Sequence, residues 1–196
     1  MTRIETDRLL LRDYEEADFE AVHAYSRQLR VCRYMSWGPN SEDDTRGFLA
    51  RTFASREADP RRHWELAITL GPGSPPVGGI GLNVKQPEDR CAEVGYTVCP
   101  EHWGRGIATE AARAVFDFAF RDVGLHRVYA RVDPENAGSI RVVEKLGMRP
   151  EGHLVRTHHV RGEWRDHLLY GVLDEEWTGA NEDSRDHPGA PRDSEG

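Results

Sequence analysis

The chain has 196 residues, of which 38% are hydrophobic and 31% charged, and its formal net charge is −8 at pH 7. That length suits one domain with a sizeable core, and the acidic balance disfavours nucleic-acid binding and mildly favours cationic partners such as amines. No run reaches the roughly 18 apolar residues of a membrane span and no secretory signal pattern opens the chain, so we expect a cytoplasmic protein without membrane association. The three cysteines, Cys32, Cys91 and Cys99, are expected to be reduced thiols.

The first half of the chain predicts a strand, two helices and a meander. Residues 8–14 (RLLLRDY) suit a strand, and apolar residues at helical spacing follow between residues 18 and 25. Residues 37–40 (WGPN) predict a loop, after which Ser41 is placed to cap a second helix. Three strand-like runs follow, HWELAITL, PVGGIGLNV and CAEVGYTVC, and the Gly- and Pro-rich turns between them favour antiparallel pairing.

The second half predicts a helix, a strand, a shorter helix and a hairpin. The helix that begins near Gly104 has an apolar face suited to packing on a sheet. HRVYARVD predicts a strand, and NAGSIRVVEKLG predicts a short helix ended by Gly147. HLVRTHHV and EWRDHLLYGVL predict a terminal hairpin. We therefore expect an α/β fold with a mixed, mostly antiparallel sheet and helices on its faces.

We expect one domain over residues 1–177, followed by a tail. Residues 178–196 hold no aliphatic side chain larger than alanine. Such a segment cannot offset the entropy lost on ordering. It therefore predicts an acidic, disordered tail.

The stretch HWGRGIATEAARAVFDFAF begins as a glycine-punctuated turn and continues as an apolar helix. Gly104, Gly106 and the small Ala108 let backbone N–H groups converge at a helix N-terminus, which suits an anion such as a phosphate, and Arg105 adds a charge beside them. A dinucleotide fingerprint would need a third glycine at Thr109, and the phosphate-loop pattern is absent, so the spacing disfavours NAD and ATP. The alternative is that the glycines serve only a tight turn and close packing.

Two motifs in order carry a resemblance to a known family. AEVGYTVCPEHWGRGIATEA followed by VDPENAGSIRVVEKLGM resembles the GNAT acyltransferase superfamily, and TDRLLLRDYEEAD is similar to its RimJ/RimL-type branch, which includes ribosomal-protein N-terminal acetyltransferases. Gly106 and Ala108 match the last two fixed positions of the family's pyrophosphate motif, and Trp103 occupies the first, as is common in that branch. The resemblance spans residues 4–177 and implies a sheet of six to seven strands with a splayed central cleft.

The resemblance also implies acetyl-coenzyme A as co-substrate. The elbow would bind its pyrophosphate, and the pantetheine would lie along the strand of Thr97 and Val98. The residues assigned to the cofactor share this strand, the elbow and the following short helix: Thr97, Val98, Trp103, Gly104, Arg105, Gly106, Ile107, Ala108, Thr109, Asn136 and Ser139.

Ser139 and Glu93 match positions that the family uses for proton transfer. Ser139 matches a serine thought to contact the thioester sulfur and act as general acid, and Asn136 matches a coenzyme A-binding asparagine. Glu93 lies inside an apolar strand, where an unpaired carboxylate is costly to bury, and it looks like the family's proposed general base. The alternatives are that Asn136 and Ser139 only cap a helix, and that Glu93 forms a structural salt bridge.

The acceptor side is predicted from one aromatic loop. Tyr34, Trp37 and Asn40 occupy a segment that resembles the acceptor-side loop between the first two helices, and aromatic walls with a few polar groups suit an amine-bearing acceptor. The equally weighted alternative is that the two aromatic residues roof the core.

Two other kinds of site are disfavoured. The histidines of the last hairpin lack the spacing of metal ligands, and the adjacent His158 and His159 point to opposite faces of a strand, so we expect no metal. Cys99 has no evident histidine partner, which disfavours an acyl-carrying thiol.

The sequence therefore predicts an N-acetyltransferase that transfers the acetyl group of acetyl-coenzyme A directly to a primary amine in a ternary complex. By resemblance the acceptor is a protein N-terminal amine; the alternative is a small-molecule amine such as an aminoglycoside or polyamine. A non-catalytic coenzyme A-binding regulatory module is the rival from another class. A homodimer is expected only by analogy with relatives. The last hairpin has strand edges that could pair in such a dimer.

Overall fold

The computed structural model describes residues 1–179, so the predicted tail lies outside the described residues except at its start. The strands are β1 (Arg3–Glu5), β2 (Leu10–Asp13), β3 (His63–Thr69), β4 (Pro76–Gln86), β5 (Cys91–Val98), β6 (Arg127–Val132), β7 (Arg149–Val160) and β8 (Glu163–Leu173). The helices are α1 (Phe19–Ser26), α2 (Leu29–Cys32), α3 (Glu42–Arg56), α4 (Ile107–Arg121) and α5 (Ala137–Lys145). No helix among residues 1–179 combines the length and apolar composition needed to cross a bilayer.

Within residues 1–179 the eight strands form one sheet in the order β1-β2-β3-β4-β5-β6-β8-β7. Only β5 and β6 pair in parallel, and every other neighbouring pair is antiparallel. The predicted mixed, mostly antiparallel α/β fold is confirmed, with eight strands where the sequence predicted six to seven. The additional strand is β1, whose three residues are too few to show a periodic pattern.

Strand alternation sorts the core onto the two faces of the sheet. On one face, α4 and α5 bury Phe116 and Val143 against strand residues such as Leu66 and Val128. On the other face, a smaller cluster packs α1 and α3 around Tyr14 and includes Val22, Leu49 and Ala67. Helices therefore cover both faces of the sheet, as predicted.

The ends of the helices follow local chemistry. Ser41 caps α3 through a hydrogen bond from the Asp44 N–H (3.1 Å), and Asn136 caps α5 through a hydrogen bond from the Ser139 N–H (3.0 Å). Gly147 lies just after α5 with φ of +72°, a conformation that favours glycine. The first helical segment differs from the prediction, because a separate single turn, α2, follows α1.

β5 and β6 part partway along their length. Their registered pairs run only from Cys91↔Arg127 to Glu93↔Tyr129, although β5 continues to Val98. β6 continues to pair with β8 as far as Val132↔Leu168. Because β5 stays with β4 while β6 stays with β8, a wedge-shaped gap opens in the centre of the sheet, which is the predicted splayed cleft.

Phe116→Ala tests the core beneath the gap. Phe116 is fully buried and touches Phe120 and Trp177 edge-on. We expect the free energy of unfolding to fall by about 3–5 kcal/mol, because the truncation leaves a cavity. Urea unfolding with an unchanged m-value measures this loss. Leu29→Ala is the control, since Leu29 is 65% exposed and should change stability by no more than about 0.5 kcal/mol; equal losses in both variants would contradict the assigned core.

Candidate functional site

The glycine elbow lies at the mouth of the gap and leads into α4. Gly104 and Gly106 have φ of +74° and +77°, and Gly106 is the N-cap of α4. The first backbone hydrogen bond of the helix runs from Glu110 N–H to Gly106 O (3.0 Å), so the preceding N–H groups have no intrahelical acceptor. A side chain added at Gly104 would meet open space. The elbow therefore exposes converging N–H groups at a positive helix end, which suits an anion.

The other elbow residues divide between solvent and core. Arg105 is exposed, Ala108 and Thr109 are half-buried, and Ile107 is buried in the core. Ile107 therefore anchors the first turn of α4, while its neighbours remain open to a ligand.

The elbow is tied to the start of β2 by an arginine that the sequence reasoning missed. Arg8 donates from Nη1 to Arg105 O (3.0 Å) and pairs with Glu110 (2.5 Å). Thr6 also donates its hydroxyl to Glu110 (2.6 Å). Burial opposes ionisation of Glu110, but these hydrogen bonds outweigh it and hold the pKa of the carboxyl below its usual range. Arg8 thus supplies a second cationic side chain beside the elbow.

The edge of β5 facing the gap offers unpaired backbone groups. Cys99 N–H donates to β4 (2.8 Å), and antiparallel strands alternate their N–H and C=O groups between two sides. The backbone groups of Tyr96 and Val98 therefore point toward β6, which has diverged beyond the Glu93↔Tyr129 pair. One of them is occupied, because the Trp103 indole donates to Val98 O (2.7 Å). Trp103, 52% exposed, thus closes the end of the strand beside the elbow.

Ser139 meets a tyrosine across the gap. The hydroxyls of Ser139 and Tyr96 lie 2.8 Å apart, and Tyr96 also reaches Ser139 O (3.3 Å). Burial raises the pKa of Tyr96 to about 12, and the hydrogen bond to Ser139 opposes this rise. The phenol is therefore neutral at physiological pH and can hand a proton to Ser139. The cap formed by Asn136 orients this first turn of α5, which is the capping role that the sequence left open as the alternative.

Glu93 is ion-paired on the opposite face of β5. Arg131 of β6 grips it with two hydrogen bonds (2.8 and 3.0 Å), and the Lys85 ammonium lies 3.9 Å away. This is the structural partner that the sequence left open as an alternative. The ion pair lies where β5 and β6 stop pairing, because Glu93 is the last residue of β5 in register with β6.

The predicted acceptor residues Tyr34, Trp37 and Asn40 lie in the loop that connects α2 to α3. The Arg33 guanidinium lies over the Tyr34 ring (5.1 Å), and Trp37 is 36% exposed. Asn40 is half-buried and donates its backbone N–H to Ser26 O (3.0 Å). The loop reaches β5 through Met35, whose sulfur lies 3.9 Å from the Thr97 hydroxyl. Thr97 therefore faces the loop rather than α4.

The tip of the β7–β8 hairpin holds this loop in place. Arg161, at φ of +48°, donates to five backbone carbonyls of the loop region. The acceptors are the carbonyl oxygens of Cys32, Arg33, Met35, Trp37 and Gly38, at 3.0–3.3 Å. Sequence reasoning placed Arg161 only in a turn, because nothing in the local pattern reveals a contact with a segment more than a hundred residues away.

The remaining candidates are placed as follows. Burial raises the pKa of Cys99 to about 11, so its thiol is protonated and a poor nucleophile. The His158 ring packs against His167, while His159 packs against Trp164. Burial and the neighbouring His158 lower the pKa of His167, which favours the neutral ring.

A sheet that parts at its centre, a glycine elbow at the mouth of the gap and a hydroxyl pair inside it define the acyltransferase fold expected from the sequence. The family model described as "Acetyltransferase (GNAT) domain" matches residues 8–149, more than half of the chain. The chain therefore belongs to the GNAT acetyltransferase family and is an acetyl-transferring enzyme.

Individual relatives extend the match over almost the whole chain. A GNAT-family acetyltransferase from Bacillus anthracis superposes with a TM-score of 0.79 at 34% identity, covering 89% of this chain and 100% of that one. Mycobacterium smegmatis RimJ in complex with CoA-disulfide superposes with a TM-score of 0.76 at 30% identity, covering 86% and 83%. A spermidine N(1)-acetyltransferase from Vibrio cholerae is 30% identical over 175 residues, or 89% of this chain and 98% of the relative. The relatives thus include both RimJ and a polyamine acetyltransferase.

Arg161→Ala tests the anchoring of the acceptor loop. We expect amide hydrogen exchange across residues 32–38 to accelerate at least about tenfold, because even one hydrogen bond to a charged group is worth roughly 1.5 kcal/mol or more. Arg156→Ala is the matched control: it too has a left-handed backbone (φ +51°) on the same hairpin, but its backbone N–H, not its guanidinium, makes the hydrogen bond to Asp166. Unchanged amide exchange in the Arg161 variant would show that the loop keeps its structure without the Arg161 hydrogen bonds.

Proposed function

We propose that this enzyme transfers the acetyl group of acetyl-coenzyme A directly to a primary amine within a ternary complex. The observation that carries the proposal is the parting of β5 and β6, with an anion-binding elbow at its mouth and the Ser139 hydroxyl inside it. Gly104, Gly106 and the first turn of α4 would bind the pyrophosphate, with Arg8 and Arg105 beside it. The complex of M. smegmatis RimJ with CoA-disulfide supports a coenzyme A ligand.

The thioester would lie along the free edge of β5. Backbone N–H groups of Tyr96 and Val98 can polarise its carbonyl as the oxygen gains negative charge. Ser139, hydrogen-bonded to Tyr96, would then donate a proton to the departing thiolate. A thiol of pKa about 8.5 is already a fair leaving group, so positioning supplies much of the rate.

The acceptor would approach from the face that carries Glu93 and Thr97. Two acceptor classes have support: a protein N-terminal amine, through the RimJ relative, and a polyamine, through the spermidine acetyltransferase relative. The two classes of acceptor differ in the fraction of the amine that is neutral at pH 7. An α-amine of pKa about 8 is about one tenth neutral at pH 7, whereas an alkyl amine of pKa about 10.4 is almost entirely protonated.

Thiol release from acetyl-coenzyme A tests the function and the acceptor together. We expect one class among N-terminal peptides, polyamines and aminoglycosides to stimulate release, and Ser139→Ala to lower kcat about 10²–10⁴-fold because a positioned acid is lost. The melting temperature of the variant serves as the folding control. Tight coenzyme A binding without release for any amine would instead indicate the non-catalytic binding module.

Tyr96→Phe tests the hydroxyl pair. We expect kcat to fall about tenfold, since the net worth of one hydrogen bond is roughly 0.5–1.5 kcal/mol, while KM for acetyl-coenzyme A stays within about twofold. In the Ser139→Ala background the same change should cost nothing further, because the two hydroxyls act as one unit. Fully additive losses in steady-state kinetics would refute a shared role.

A further inference from the structure

We propose that Glu65 is the carboxylate that binds the ammonium group of the acceptor and takes up its proton, with Glu93 acting as a structural partner of Arg131. This inference rests on the proposed acetyl transfer and names the residue that prepares the amine. It also assigns the acceptor as one that arrives in its charged, ammonium form.

The register of the sheet aligns Glu65 with the open edge of β5. Glu65 of β3 lies opposite Gly81 of β4, and Gly81 lies opposite Gly95 of β5. The three residues thus form one row across the sheet. Ala67 belongs to the cluster under α1 and α3, so Glu65, two residues away on the same strand, faces that same side. Glu93 lies on this face too, in the neighbouring row that starts at His63.

The two glycines make room along this row. A Cβ at Gly81 would lie 2.5 Å from Glu65 Oε2, which shows that the carboxylate leans across Gly81 toward β5. A Cβ at Gly95 would meet nothing within 4 Å. Neighbouring strands are about 4.8 Å apart, so the carboxylate lies about 5 Å from the backbone of Gly95. That space admits an ammonium group, or an amine with one bridging water, next to the free edge of β5.

Glu65 and Glu93 differ in the side chains that contact their carboxylates. Glu93 is gripped by the Arg131 guanidinium and approached by the Lys85 ammonium. The partner of Glu65 is His63, whose Nε2 lies 3.0 Å from Oε2. Both carboxylates are partly open to solvent, at 23% for Glu65 and 19% for Glu93. Of the two carboxylates, Glu65 is therefore the one that, among residues 1–179, has no guanidinium or ammonium group paired with it.

The other groups that face Glu65 are phenols. Tyr14, which follows β2, and Tyr25 of α1 share a hydrogen bond of 3.3 Å. Burial raises the pKa of both phenols, and the nearby Glu65 charge contributes to the rise. They therefore remain neutral and uncharged walls of the site. His63 on its own strand and Glu93 in the next row are further titratable groups on this face.

The reaction balances with Glu65 in this role. The ammonium gives one proton to the Glu65 carboxylate, and the neutral nitrogen then forms a bond to the thioester carbon. The carbon–sulfur bond breaks, Ser139 gives a proton to the sulfur, and the second proton lost by the nitrogen restores the Ser139–Tyr96 pair. Glu65 returns its proton to solvent. The products are the N-acetyl amine, coenzyme A and one proton.

The experiment compares Glu65→Gln with Glu93→Gln, using the amine that the wild-type enzyme turns over. We expect Glu65→Gln to lower kcat/KM about 10²–10⁴-fold at pH 7, with the Kd for acetyl-coenzyme A and the melting temperature little changed. The loss should shrink about tenfold per pH unit toward the pKa of the amine, because the variant depends on amine that is already neutral. Glu93→Gln should lose less than tenfold and show no such recovery.

His63→Gln is the matched control, since it removes the partner of Glu65 and keeps the carboxylate; it should retain most of the activity. Gly81→Ala, which pushes the carboxylate aside without changing its chemistry, should lower kcat/KM at least about tenfold. Full activity of Glu65→Gln at pH 7 would overturn the proposal, as would a loss that does not recover with pH. No wild-type turnover with any amine would overturn the proposed function itself, a result distinct from either.

Discussion

The site depends on one feature of the sheet, the fork at which β5 and β6 stop pairing. In register only up to Glu93↔Tyr129, the two strands leave a free backbone edge in the middle of the sheet, in addition to the outer edges at β1 and β7. Unpaired N–H and C=O groups in a protein interior are costly, so such an edge persists only where a ligand or water can satisfy it. The Glu93–Arg131 ion pair bridges the strands at this point and fixes where the gap begins.

Because successive side chains of a strand point to opposite faces, β5 carries different functional groups on its two faces. Tyr96 points toward the face of α4 and α5, where it meets Ser139. Glu93, Gly95 and Thr97 belong to the opposite face, beneath the loop that Arg161 holds. A thioester lying along the edge between them would therefore have its leaving sulfur near hydroxyl donors and its carbonyl carbon open to an amine from the side of the carboxylates. One strand can thus serve both halves of an acyl transfer because its side chains alternate.

Contacts between distant segments hold both the elbow and the loop that follows α2. Arg161 of the last hairpin fastens a loop near residue 35, Arg8 of the first segment fastens the elbow after residue 100, and Arg30 pairs with Glu101 across the same region. Arg161 bonds to backbone carbonyls, Arg8 bonds to a carbonyl and a carboxylate, and Arg30 bonds to a carboxylate. Each contact therefore fixes the position of one segment relative to another. A chain of net charge −8 can therefore use guanidinium groups to hold these segments, while Glu65 and Glu93 lie on one face of its sheet.

The features set by local chemistry were predictable from the order of the amino acids. Apolar periodicity gave the order of all strands but β1, the Ser41 and Asn136 caps placed two helix starts, and Gly104 and Gly106 marked the anion elbow, because each pattern reflects interactions within a few residues. The folded chain was needed to establish the pairing of Glu93 with Arg131, the Tyr96–Ser139 contact, the contacts of Arg161 with the loop and the row from Glu65 to Gly95. The first three contacts join residues that lie 38 to 129 positions apart, and the row from Glu65 to Gly95 depends on strand register. Register is fixed by packing across the whole sheet, so no local pattern contains it.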